Sequence, residues 1–288
     1  MTRFGIFILW LLHFLPLAVL ARLGAAAGLL FMAIDKKRRN VARTNLRLCF
    51  PDLDEAARES LLRKHFKAVG RGALEHGLMF WASQRRLERL VHLEGLEHWQ
   101  AVRGRPVILL VPHFAAFVMG PLRFSIEQSV VSMYSRQKNR AVDELLLRGR
   151  SRFGTTRLWC REDGLRPLVK ALREGFSFVY LPDQDLGARD SVFVPFFGVK
   201  AATVTALPRL AKLGNAAVLP LVTRQLAGGG GYEARFHAAW ENFPSDDLEA
   251  DVRRMNAFIE ERVLEMPEQY WWLHRRFKTR PPGEPKIY

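Results

Sequence analysis

The feature that most constrains the fold is a series of short apolar runs, at residues 107–111, 130–134, 176–181 and 216–222, separated by helix-patterned stretches around 114–127, 142–153, 165–174 and 203–213. A run without polar alternation reads as a strand covered on both faces. Strands that alternate with helices build a mainly parallel sheet with helices packed on its faces. The fold class expected is therefore α/β. With 288 residues, 49% of them hydrophobic, the chain can bury one large core. Ahead of the first run, Asp52 and Glu55 have the spacing of an acidic N-cap, and Leu62, Phe66, Val69 and Ala73 form one stripe of a packing helix. The glycines at 228–231 lack a following Lys-Ser/Thr, so they read as a turn before a strand at 232–237 rather than a phosphate loop. A last helix is expected at 246–264, its acidic first turn matching the helix dipole.

The N-terminus carries a second signal. Between residues 4 and 34 only His13 and Arg22 are strongly polar, and residues 4–21 alone nearly suffice to cross a hydrocarbon core of roughly 30 Å. Lys36, Lys37, Arg38 and Arg39 follow at once, with Arg43 and Arg47 beyond. Residues 1–34 thus read as a membrane anchor and 35–288 as a main domain on the cytoplasmic side. A cleaved signal peptide ending near Ala25-Ala26-Ala27 is the competing reading, and Pro16 and Arg22 also permit a helix lying in the interface. The formal charge of +15 calls for anionic partners, which are nucleic acid, an acidic protein or a phosphate-bearing surface. The anchor favours the membrane. Cys49 and Cys160 form no CxxC pattern and no metal-ligand cluster with the eight histidines, so reduced thiols and no metal are expected.

Candidate chemistry sits at strand ends. His113 follows the run 107–111 and Pro112, at the carboxyl end of a strand, where open α/β sheets place their ligands. An imidazole there is either a general base or a residue that only caps a helix or packs in the core. Arg148-Gly-Arg-Ser-Arg152 suits bidentate binding of phosphate or carboxylate, or is a solvated helix end. Asp183 and Asp185 in Leu181-Pro-Asp-Gln-Asp185 are either site carboxylates, one of which would approach His113 from a neighbouring strand end, or turn formers. From Pro267 to Pro281 aromatic and basic residues interleave, which beside a membrane anchor reads as an interfacial belt or headgroup site rather than a nucleic-acid surface.

Several blocks together resemble the late acyltransferases of lipid A biosynthesis. They are Arg38-Arg-Asn-Val-Ala-Arg-Thr-Asn-Leu-Arg-Leu-Cys-Phe-Pro51, the His113 segment, Leu181-Pro-Asp-Gln-Asp-Leu-Gly187, Val192-Phe-Val-Pro-Phe-Phe-Gly198 and the C-terminal block with His274-Arg-Arg-Phe-Lys-Thr-Arg-Pro281. The resemblance runs nearly end to end. It implies an inner-membrane enzyme that moves a fatty acyl chain from acyl-carrier protein to a hydroxyl of a Kdo-bearing lipid A precursor, with no metal or nucleotide cofactor. By position it implies His113 as catalytic base, and Arg150 and Asp183 as residues that hold the acceptor or shape the site. It also exposes a departure. Val118 stands where the family's His-x4-Asp/Glu motif has its acid, and valine cannot accept an imidazole N–H. Two alternatives therefore stay open: transfer to another lipid acceptor, or a non-catalytic relative that binds lipid or acyl-carrier protein. Amides at 114–116, at the start of the expected helix, are the candidate oxyanion hole.

Overall fold

The computed structural model describes residues 3–134, 136–160 and 164–288, the side chains of residues 159 and 160 excepted, so Cys160 lies outside the described side chains. The strands are β1 (Val91–Glu94), β2 (Val107–Leu110), β3 (Val130–Tyr134), β4 (Thr156–Cys160), β5 (Ser177–Tyr180), β6 (Ser191–Phe196), β7 (Val199–Val204), β8 (Ala217–Gln225) and β9 (Tyr232–Phe236). The helices are α1 (Arg3–Leu12), α2 (Leu17–Ile34), α3 (Lys36–Cys49), α4 (Glu55–Trp81), α5 (Gln84–Leu90), α6 (Leu96–Val102), α7 (Met119–Phe124), α8 (Arg140–Arg150), α9 (Arg166–Arg173), α10 (Ala206–Gly214) and α11 (Leu248–Glu265).

Seven strands form one sheet in the order β1-β9-β8-β2-β5-β3-β4, parallel at every pairing except β8 with β9. The mainly parallel sheet expected from the apolar runs is present, and every residue of β2 at its centre is buried, as a strand covered on both faces requires. In the register of β2 with β5, Leu110 lies opposite Tyr180. The chain leaving β2 and the chain leaving β5 therefore run side by side at the carboxyl edge.

Several expectations change. The helix expected from residue 114 begins only at Met119, because Ala115 gives its N–H to the Gln269 carbonyl (2.7 Å) and Phe114 bridges to Tyr270. The helix expected from 203 begins at Ala206, since Thr203 and Val204 end the hairpin strand β7. Helix α4 is capped by Asp54, whose carboxylate accepts from Ala57 N (2.7 Å), not by Asp52. Of the α4 stripe, Leu62, Phe66 and Val69 are buried and Ala73 is exposed.

The N-terminal stretch is not one continuous helix. It breaks between α1 and α2 at Pro16, and α2 lies lengthwise on α4, burying Leu17, Leu20, Ala21, Gly24 and Gly28. Glycine is required there: a Cβ on Gly24 would come within 2.6 Å of Arg71 Cα, and one on Gly28 or Gly70 would run into the partner helix's backbone. The opposite side stays bare, with Phe4 70%, Leu30 61% and Ile34 70% exposed. The C-terminal block overturns the belt reading outright. Tyr270, Trp272, Leu273, Arg276 and Phe277 are all buried. Asn45 of α3 holds the block by donating to the carbonyls of Trp272 (2.8 Å) and His274 (2.7 Å).

Candidate active site

His113 lies three residues beyond the end of β2, and Asp183 three residues beyond the end of β5. Because Leu110 and Tyr180 are paired, equal overhangs bring the two together. His113 Nδ1 is 2.6 Å from Asp183 Oδ1, and the His113 backbone N–H donates to Oδ2 at 2.9 Å. The carboxylate thus grips both the ring and the main chain of one residue. Asp183 is fully enclosed, and burial pushes its pKa up. The charge and hydrogen bonds of His113, with Arg276 behind, outweigh that and hold it below its ordinary value. An ionised carboxylate only accepts, so Nδ1 carries the imidazole hydrogen and Nε2 keeps a lone pair. Gln184 meets that lone pair with its side-chain amide, Nε2 to Nε2 at 3.3 Å.

A carboxylate therefore meets the imidazole from the end of β5 and not from position 118. Val118 instead lines, with Phe117, Met133, Phe178 and Leu181, a cavity of about 930 Å³ into which His113 also faces. Of the candidate oxyanion amides at 114–116, the first two are already engaged. Phe114 N–H is taken by the Pro112 carbonyl (2.9 Å) and Ala115 N–H by that of Gln269.

Arg150, the last residue of α8, lines the same cavity. Burial lowers its pKa, and it has no ion-pair partner among the described residues, so a guanidinium is held ready for an anionic or carbonyl group. Its neighbour Arg152 is structural, donating to the carbonyls of Met79 (3.0 Å) and Ala82 (2.7 Å). Asp185 does not approach His113. It folds its own loop by accepting from Thr279 N (2.6 Å), Thr279 Oγ1 (2.8 Å) and Gly187 N (3.0 Å). Sequence reasoning missed Gln184, Tyr270 and Arg276 as neighbours of the site. Only the pairing of β2 with β5 could have pointed to the first.

A buried carboxylate thus bonds one imidazole nitrogen, and the histidine stands at the wall of a large cavity lined by both apolar and polar side chains. The sequence profile described as bacterial lipid A biosynthesis acyltransferase matches residues 1–279, and the chain belongs to that family; it is an acyltransferase. It is 38% identical over 291 residues to the lipid A biosynthesis lauroyltransferase of Escherichia coli, covering 100% of this chain and 94% of that one. It is 38% identical to a lipid A biosynthesis acyltransferase of Haemophilus influenzae (97% and 88% covered) and 36% identical to the E. coli lipid A biosynthesis myristoyltransferase (94% and 83%).

Proposed function

We propose that the enzyme transfers a fatty acyl chain from an acyl-carrier protein thioester to a hydroxyl of an anionic lipid A precursor, with His113 as general base. The observation that carries this reading is the His113–Asp183 pair at the wall of a 930 Å³ cavity that offers both apolar side chains and cations. The acceptor hydroxyl displaces the Gln184 amide from His113 Nε2 and gives that nitrogen its proton as its oxygen attacks the thioester carbonyl. The C–S bond then breaks, the ester C–O bond is complete, and the imidazolium returns the proton to the departing thiolate. Asp183 stabilises the imidazolium in between, which is the work the motif acid would do, so Val118 is no argument for a relic. Arg150 holds the acceptor or the polarised carbonyl, and Val118 and Phe117 flank the acyl chain. The net charge of +15 suits both an acidic carrier protein and a phosphorylated acceptor.

Residues 1–34 attach the protein to the inner membrane and residues 35–288 carry the chemistry on its cytoplasmic face. With α2 held along α4, whose Arg63, Lys64 and Lys67 are exposed, attachment is in-plane through the bare face of α1 and α2 rather than by crossing.

The test is acyl transfer from acyl-carrier protein thioester to a Kdo-lipid A precursor by the full chain. His113→Ala and Asp183→Asn should each lose about three to four orders of magnitude while keeping the wild-type melting temperature. Lipid mass spectrometry of a deletion strain then names chain and acceptor. Full turnover in folded His113→Ala would remove the base assignment.

A further inference from the structure

The C-terminal block has so far had no part in the chemistry, yet it closes the far side of Asp183. Asp183, Tyr270, His274 and Arg276, with Trp271 and Trp272, line a small cavity of about 10 Å³, the size that accommodates one water molecule. Arg276, only 2% exposed, donates through Nη1 to the Ala202 carbonyl (2.8 Å) and through Nη2 to Thr203 Oγ1 (2.8 Å) and Asn256 Oδ1 (3.3 Å). Its Nε is buried with no acceptor, and no carboxylate lies within ion-pair distance among the described residues. The carboxylate that feels its charge is Asp183, across the cavity. A buried N–H left without an acceptor is costly, and so is a buried cation without a counter-charge, which makes a dry cavity here the worse arrangement.

Two neighbours fix the polarity of the same wall. Asp185 N–H donates to His274 Nε2 (2.8 Å), so the hydrogen of that imidazole must sit on Nδ1. Burial pushes the His274 pKa down to about 4, which keeps the ring neutral at physiological pH. Tyr270 is buried beside Asp183. Burial first, and then the Asp183 charge, push its phenol well above the usual range, so its hydroxyl keeps its hydrogen.

We propose that residues 270–276 position the dyad from behind: one water, accepting from Arg276 Nε and His274 Nδ1, donates to Asp183, and together with the Tyr270 hydroxyl keeps that carboxylate ionised and aimed at His113. Tyr270, His274 and Arg276 are thus positioning residues, and the assignment rests on the reading of His113 as the base. The charged and titratable groups facing Asp183 are His113 from the β2 loop, Tyr270, His274 and Arg276 from the C-terminal block, and beyond them Cys49 of α3, whose thiol burial keeps neutral. Removing the Arg276 charge or the Tyr270 hydroxyl leaves Asp183 a stronger proton acceptor. The His113–Asp183 pair then holds its proton to higher pH, and less of the enzyme is in the basic form at a given pH.

The experiment is the pH profile of acyl transfer by full-length wild type, Tyr270→Phe, Arg276→Met and His113→Ala. For Tyr270→Phe and Arg276→Met the expected result is a fall in kcat of about tenfold, the worth of one hydrogen bond to a charged group, with KM within about twofold. The acid limb should move up by about one pH unit. If Arg276→Met does not fold, Tyr270→Phe, which keeps the ring, carries the test alone. A folded Tyr270→Phe with an unmoved acid limb and His113→Ala inactive overturns the positioning role and spares the base. An active His113→Ala overturns both.

Discussion

Two stretches of this chain look alike on paper and end on opposite sides of the protein surface. Residues 3–34 and the block 267–281 both combine large apolar residues with nearby cations, and both read as membrane-facing. The first leaves Phe4, Phe7, Phe14, Leu30 and Ile34 to the outside, whereas the second buries Tyr270, Trp272 and Phe277 completely, Arg276 with them. What separates them is where the cations fall. In the N-terminal stretch Arg22 is the one cation between residues 4 and 34 and the cluster of positive charge waits at its end, so one helix face can stay largely apolar. In the C-terminal block cations alternate with aromatics, and carbonyls and side chains of the body supply partners: Arg276 bonds the Ala202 carbonyl and Thr203 Oγ1, and Arg280 the Lys200 carbonyl and Glu284. An interleaved pattern therefore says that cations and rings share a site, not that the site faces solvent or lipid.

The contrast can be broken most forcefully at its buried end. Trp272→Ala should cost about 3–5 kcal/mol, the range for emptying a fully buried aromatic site, and lower the melting temperature sharply. A variant that melts with wild type would put the block back at the surface. Next is the seam that joins the N-terminal stretch to the body. Gly28→Val places a branched side chain against the Phe66 carbonyl and should cost about 1–3 kcal/mol, read in the same melt. The same seam makes a chain starting at Asp35 a poor test of anchoring, since it strips α2 from Phe66 and Gly70 as well as from the membrane. The smallest effect on stability is expected at the bare face. Phe7→Ser with Phe14→Ser should change folding stability by no more than about 0.5 kcal/mol per site, yet release the protein from anionic vesicles in a flotation assay. Undiminished vesicle binding would contradict the in-plane attachment.

The legible parts of the fold are those where burial acts on both faces of an element. Residues 107–111 and 176–181 announced β2 and β5 because nothing polar interrupts them. The β6–β7 hairpin went unseen because its turn residues, Phe197 and Gly198, both at positive φ, sit in a run of aromatics that lacks the usual Asn-Gly signature. Strand β4 was hidden by Arg157 within a five-residue element. At the site, His113, Arg150 and Asp183 could be named from their positions at element ends, and an approach of Asp183 or Asp185 to His113 from a neighbouring strand end was one alternative, but which of the two makes the bond could not be read. Spacing along the chain searched for the acid at position 118. The acid that bonds the imidazole is 70 residues away in sequence, and only the adjacency of two strands makes it near.

That adjacency makes the dyad a matter of counting. Each strand runs three residues past the Leu110–Tyr180 rung, and the imidazole and the carboxylate are simply the two chains' third steps. A deletion of one residue between 110 and 113 would set the histidine back by about 3.3 Å and turn it to the other side, even if no residue of the site were altered. The neighbouring cavity has no such rigidity, because its wall is made of side chains that can be exchanged one at a time. The volume of the cavity can therefore be altered one side chain at a time, whereas the two connections that follow β2 and β5 must keep their length for His113 and Asp183 to meet.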